Sequence, residues 1–254
     1  MSRTRTADVA TAAPAPGAAR PARRAVGSAE PATSGRPAEL AVLGRRIALR
    51  YPRPDDAPAL FDLARDVEVT RYFSWGPYRD PSEPAAWLAT LPARRASGVA
   101  LELAITDLTD RPLGITLLCE FSARDRRAVV GTWLGRDHWG TGVNRDAKAL
   151  VARLAFESLG IERLGAYADL RNGRSQAALE RVGFEREGVL RAFHRHGDRP
   201  CDVATYAMLR DDWRASRLAR VTAVVVGAPP PVLVAGPRAG RAGDESGPVS
   251  CLPR

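Results

Sequence analysis

An apolar run at Val129–Leu134, two glycines one residue apart at Gly140 and Gly142, and an amphipathic run from Asn144 to Leu159 succeed one another along the chain. The first has the length of a strand. In the last, Ala147, Leu150, Val151, Leu154 and Ser158 recur at the spacing of one helix face. Strand, glycine turn and helix in this order leave the first N–H groups of the helix unpaired and pointing outward, where the helix dipole favours an anion. Glycines there permit φ > 0 and let the backbone come close to a ligand. An ordinary tight turn has the same outline, so the wider sequence decides.

Two familiar phosphate loops do not fit. The P-loop requires Lys and Ser/Thr after its second glycine, where this chain has Val143 and Asn144. The dinucleotide fingerprint requires a third small residue, and Arg145 holds that place. The stretch Asp137-His138-Trp139-Gly140-Thr141-Gly142 instead resembles the pyrophosphate loop of the GNAT acetyltransferases, usually Gln/Arg-x-x-Gly-x-Gly/Ala, with Asp137 departing from its first position. Residues 131–164 (GTWLGRDHWGTGVNRDAKALVARLAFESLGIERL) and 170–191 (LRNGRSQAALERVGFEREGVLR) extend the resemblance. They are similar to the branch that includes the ribosomal-protein alanine acetyltransferases, the RimJ/RimL-like group, over roughly residues 43–213.

The resemblance implies an α+β fold with a central mixed, mostly antiparallel sheet, splayed between its fourth and fifth strands and flanked by helices. It implies acetyl-CoA as co-substrate, no metal, and transfer to a primary amine, either a protein N-terminal α-amine or a small-molecule amine. The pantetheine arm would lie between Val130–Leu134 and Leu164–Leu170, and the pyrophosphate on the amides of Gly140–Asn144. Thr132, Trp133, Leu134, Trp139, Gly140, Thr141, Gly142, Val143, Asn144, Asn172 and Ser175 are the expected cofactor contacts. A backbone N–H near Thr132–Leu134 would meet the oxyanion.

Many members carry a Tyr, seven residues after a helix-capping Asn, that protonates the leaving thiolate; here that place is Leu179. In the RimJ/RimL-like group a Ser three residues after the Asn is the candidate, here Ser175, unless it bonds its own backbone. The Glu usual in the branch ahead of Gly131 is replaced by Val129 and Val130. Glu120 is the base carried forward, with Glu102, Asp169, His138 or a water chain as alternatives. Arg136 and Arg145 add charge beside the loop or are simply solvated. Tyr72, Phe73 and Trp75 fall where the family meets its acyl acceptor, and packing onto the sheet is the other reading.

Composition sets the limits. Residues 1–40 and 215–254 are rich in Ala, Pro, Arg and Gly, and bury too little apolar surface to offset ordering, so both are expected as disordered tails around a domain at 41–214. Of the net charge of +9, each tail carries +3, which leaves +3 for the domain and argues against a nucleic-acid-binding core. Three scattered cysteines, Cys119, Cys201 and Cys251, point away from disulfides and zinc, and the three histidines complete no ligand set with them. With no secretory signal and no apolar run long enough to span a bilayer, the expected setting is cytoplasmic, as a bacterial-type enzyme without membrane contact, monomer or homodimer. Two other classes stay open. One is an acyl-CoA-binding module of this fold that has lost efficient transfer, suggested by the missing Glu. The other is a nucleic-acid-associated protein acting through Arg-bearing tails.

Along the chain, the pattern predicts a strand at Ile47–Tyr51, a helix capped by Asp55 or Asp56, the aromatic turn Tyr72–Pro77 and a short helix around Trp87–Leu91. It then predicts a meander of strands at 99–106, Leu113–Phe121 and Val129–Leu134, followed by the long helix and a strand at Arg163–Leu170 parallel to Val129–Leu134. A helix from Asn172 to Val182 and a closing hairpin, Val189–His194 with Val203–Leu209, complete the domain.

Overall fold

The computed structural model describes residues 39–235. Among these, β1 (Ala41–Gly44), β2 (Ala48–Arg50), α1 (Ala57–Ala64), α2 (Val67–Thr70) and α3 (Ser82–Ala96) lead into the meander β3 (Ala100–Thr106), β4 (Pro112–Ser122) and β5 (Arg127–Leu134). There follow α4 (Val143–Arg153), β6 (Arg163–Asp169), α5 (Gly173–Arg181), β7 (Glu185–His196), β8 (Arg199–Leu209), α6 (Arg210–Ala215) and β9 (Ala223–Val226). The strands make one sheet in the order β7-β8-β6-β5-β4-β3-β2-β1-β9. All neighbours are antiparallel except β5 and β6, which the α4 crossover makes parallel. The expected mixed, mostly antiparallel α+β architecture is therefore the one observed.

The feature that matters most for function is where β5 and β6 part. They pair only over Arg127–Val129 and Arg163–Gly165. Beyond that, β5 stays with β4 as far as Leu134, and β6 stays with β8 as far as Asp169. Val130–Leu134 and Ala166–Asp169 therefore diverge. The gap lies between the fifth and sixth strands of this chain, one later than expected, because the N-terminal segment read as one strand folds as a hairpin. Gly44 N donates to Ile47 O across its turn, and the alternating Leu40, Val42 and Ile47 bury on one side.

Each face of the sheet has its own core. On one, Leu101, Leu103, Leu118, Val130 and Ala166 meet Ala147, Leu150, Val151 and Leu154 of the predicted helix face. That helix ends in a π turn, Leu154–Ser158, instead of continuing as α-helix to Leu159. On the other, Ala104, Ile115 and Trp133 meet Leu60, Val69, Trp75 and Leu91 from α1–α3 and the aromatic turn. Strand β3 is buried on both faces, which explains its nearly unbroken apolar sequence. Its one charge, Glu102, is paired with Arg94 at 2.6 Å, which corrects its candidacy as a base.

The expected tail from residue 215 is corrected over its first part. Ala223–Val226 forms β9 and pairs along the whole of β1, while Leu218 and Leu233 are buried in the first core. The reason is that β1 would otherwise present an open edge, and a short Val-rich segment fits it despite the prolines that follow. Removing residues 216–254 is expected to destabilise the domain by at least about 3 kcal/mol, from the burial of those two leucines alone, as read by urea denaturation. The rest of this tail, and residues 1–38 of the other, lie outside the described residues. Among the described residues, Cys201 is a free, buried cysteine.

Candidate active site

The loop after β5 is built to leave its amides open. Gly140 and Gly142 have φ of +74° and +89°, a region that side chains with a Cβ rarely enter. No backbone N–H from Gly140 to Asn144 donates to an acceptor among the described residues, whereas Asp146 N closes the first helical bond on Gly142 O. Arg46 Nη2 donates to Thr141 O at 3.0 Å, and Thr141 Oγ1 to His138 O at 2.8 Å, so the loop is braced from behind. Helix α4 begins at Val143 directly behind these amides.

In front of the loop lies a cleft of about 450 Å³. It brings together Thr132, Trp133 and Leu134 from the diverging end of β5, Trp139, Gly140, Gly142 and Asn144 from the loop, Asn172 and Ser175 from α5, and Tyr72 and Phe73 from the aromatic turn. Arg145, Arg174 and Arg181 also line it, and among the described residues no carboxylate does. The lining combines arginines and loop amides with apolar and aromatic side chains, a mixture that suits a long ligand with a phosphorylated end.

Asn172 does what its position suggests. Its Oδ1 accepts from Ser175 N at 3.0 Å and caps α5. Ser175 is half-buried and faces the cleft. Trp139 turns its indole N–H onto Leu134 O at 2.9 Å, and the guanidinium of Arg174 stacks on its ring at 3.2 Å from the centroid. Sequence reasoning missed Arg174 and Arg181, although Arg174, Ala178 and Arg181 recur at i, i+4 and i+7, the signal of one face of α5.

Four expected site residues stand elsewhere. Trp75 is buried in the second core, stacked on Phe73 at 5.4 Å and edge-on to Trp133 at 5.6 Å, so packing, not ligand contact, accounts for it. Val143 is buried beneath the helix start, where only its backbone faces outward. Thr141 turns its carbonyl and hydroxyl to the protein. Glu120 is not in the cleft lining. It sits half-buried at the bulged end of β4, where Tyr167 Oη donates to it at 3.2 Å and burial raises its pKa.

Tyr167 leaves β6 on the face away from α4 and packs against Phe193 and His194 of β7. Beside it, Asp169, His196 and Cys201 converge within 4.8 Å, a grouping of His and Cys that their spacing did not suggest. The place of a metal is contested by a cation of the chain itself. Arg171 donates twice to the Asp169 carboxylate, holds its pKa down, and reaches Cys201 Sγ at 3.5 Å. Asp169 is thereby committed to Arg171 rather than available as a base.

Residues 46–185 match the model of the acetyltransferase (GNAT) domain. The N-acetyltransferase p20 of Bacillus licheniformis, itself uncharacterised, is 30% identical over 172 residues, which are 66% of this chain and 95% of that protein. A crystal structure described as an acetyltransferase from T. thermophilus superposes with a TM-score of 0.60 at 32% identity, covering 68% of this chain and 90% of the other. The microcin C7 self-immunity acetyltransferase MccE, solved with acetyl-CoA and AMP, shares the fold at a TM-score of 0.60 and 22% identity, over 65% and 93% of the two chains. Open loop amides, diverging strands and these matches together lead to one conclusion: the chain belongs to the GNAT acetyltransferase family.

Proposed function

We propose that this protein moves the acetyl group of acetyl-CoA to a primary amine, in the manner of the RimJ/RimL-like branch, with a protein N-terminal α-amine or a small-molecule amine as acceptor. The observation that carries the reading is the row of unpaired amides at Gly140–Asn144, which opens onto the gap between Val130–Leu134 and Ala166–Asp169. A diphosphate on those amides sends the pantetheine arm into the gap, where the free edge of β5 offers it hydrogen-bonding groups. Arg145, Arg174 and Arg181 add positive charge to the cleft lining. That MccE holds acetyl-CoA on the same fold agrees with this. A cytoplasmic setting suits a water-soluble co-substrate, and none of the helices described is long and apolar enough to cross a membrane.

The chemistry needs a neutral amine, an oxyanion donor and support for the leaving thiolate. An α-amine, with a pKa of about 7.7–8.0, is partly neutral at pH 7 without help. A lysine at about 10.4 depends far more on a base, and Glu120, the base expected from the sequence, stands outside the cleft. The amide edge of Thr132–Leu134 faces the developing oxyanion, and Ser175 Oγ donates a hydrogen bond to the departing sulfur. Thiol release from acetyl-CoA should be measured across α-amino peptides, polyamines and aminoglycosides. We expect release with at least one class. Tight acetyl-CoA binding with no release for any acceptor would replace the enzyme by a binding module of the same fold.

A further inference from the structure

Lys148 is the sole lysine of the chain and is buried on α4, only 5% exposed. A buried amine without an acid partner is costly, and an apolar side chain at this site on the helix would avoid that cost. Its Nζ donates to Thr132 Oγ1 at 2.6 Å. Thr132 Oγ1 in turn lies 2.9 Å from Thr116 Oγ1, and both hydroxyls reach Gly131 O, at 2.8 and 3.0 Å. Thr116 is fully buried, while Thr132 lines the cleft where β5 leaves β6. Thr132, which lines the cleft and accepts from the lysine, therefore links a hidden amine to the place where the thioester would lie. Asn144, one turn before Lys148 on the same helix, lines that cleft too.

We propose that Lys148, acting through Thr132 Oγ1, supplies the proton that the thiolate of acetyl-CoA takes up as it leaves. The inference rests on the acyl-transfer reading above and makes Lys148 a positioning residue, with Thr132 as the group that touches the sulfur. The amine nitrogen bonds to the carbonyl carbon, and the carbon–sulfur bond breaks with its electron pair on sulfur. Thr132 Oγ1 gives its proton to sulfur and takes one from Lys148 Nζ. The proton shed by the new amide nitrogen restores the ammonium through solvent in the cleft. Ser175 can lend a hydrogen bond to the sulfur, but among the described residues no donor is bonded to its hydroxyl to resupply a proton.

The energetics favour this direction. Burial lowers the Lys148 pKa to about 7, below the ordinary thiol value of about 8.5, so transfer to a thiolate runs downhill. The neighbouring charges do not reverse this. On α4, Asp146 is held by Arg145 at 2.9 Å and by Arg46 at 3.6 Å. Strands β4 and β5 present the two threonines, and α5 brings Arg174 and Arg181 to the cleft. Burial is the one cause acting on the lysine.

Protein carrying 13Cε-labelled lysine has a single lysine signal that needs no assignment. In the protein without ligand, that signal should titrate with a midpoint of about 7. With an α-amine acceptor and saturating acetyl-CoA, kcat should fall as pH rises through that midpoint, because the ammonium form is the one required. Lys148→Met should lower kcat about a hundredfold, flatten that limb and leave KM for acetyl-CoA unchanged. Thr132→Val should lower kcat equally while the lysine signal persists. A midpoint near the ordinary lysine value of about 10.4, or a Lys148→Met protein with undiminished kcat and an unaltered profile, overturns the proposal. Failure of CoA to bind the unaltered protein would instead strike the acyl-transfer reading, with the lysine titration still read independently.

Discussion

Gly142→Asp should abolish acetyl-CoA binding while the domain stays folded. Gly142 has a φ of +89° at the N-cap of α4, and Asp is among the residues that best tolerate this left-handed region. A Cβ there would approach only the guanidinium ends of Arg46, at 3.4 Å, and Arg145, at 3.8 Å, which are flexible and oppositely charged. The left-handed φ strains any side chain there by about 1–2 kcal/mol, a cost the domain can absorb because nothing rigid blocks the Cβ. Binding fails, because the new carboxylate stands where a diphosphate is to sit. One like-charge pair about 4 Å apart at an effective dielectric of about 20 costs about 4 kcal/mol, close to a thousandfold in affinity. Calorimetric titration with CoA measures the loss, and circular dichroism checks the fold. Unchanged affinity would mean that these amides do not hold the diphosphate.

Asp56→Ala should cost about 3 kcal/mol of stability without touching the cleft. Arg50 and Asp56 are both buried and meet through two parallel bonds of 2.8 Å, a bidentate fork. Arg53 N also donates to Asp56 Oδ2 at 2.8 Å. The pair ties β2 to the start of α1, and Asp110 of the β3–β4 turn binds the same guanidinium. Losing one partner of a buried pair typically costs about 3–5 kcal/mol, and the lower end applies because Asp110 remains. Asp110→Ala should cost under about 1 kcal/mol, since that side chain is half exposed. Urea midpoints of the two variants decide the order, and an Asp110 effect equal to that of Asp56 would contradict this account. The sequence pattern offers Asp55 or Asp56 as the cap of α1. Asp56 does occupy the N-cap position, but its side chain makes no cap bond, because Arg50 has claimed it.

Much of the candidate site was legible because its parts are local. The β5 strand, the two glycines and α4 follow one another in sequence, and so do Asn172 and the serine amide it caps. Periodicity and spacing suffice where a residue's partners lie within one or two turns of it. The aromatic turn was legible as a turn, but not in its orientation. Tyr72 and Phe73 reach the cleft while Trp75, two residues on, goes to the core, and only the packing of Trp133 beneath it decides that.

What the chain alone determined was the order of its elements, the open loop and the capped helix that frames it, since hydrogen bonding between near neighbours dictates these. Tertiary structure decided the rest. It brought β9 to the edge of β1, committed Arg171 to Asp169 beside Cys201, and placed the single lysine beneath Thr132. The first and last of these bring together groups far apart in sequence, and the Arg171–Asp169 pair, though close in sequence, meets Cys201 only once β8 lies beside β6. Burial is what sets their charge and bonding, and burial is a property of the assembled sheet and helices rather than of any one segment.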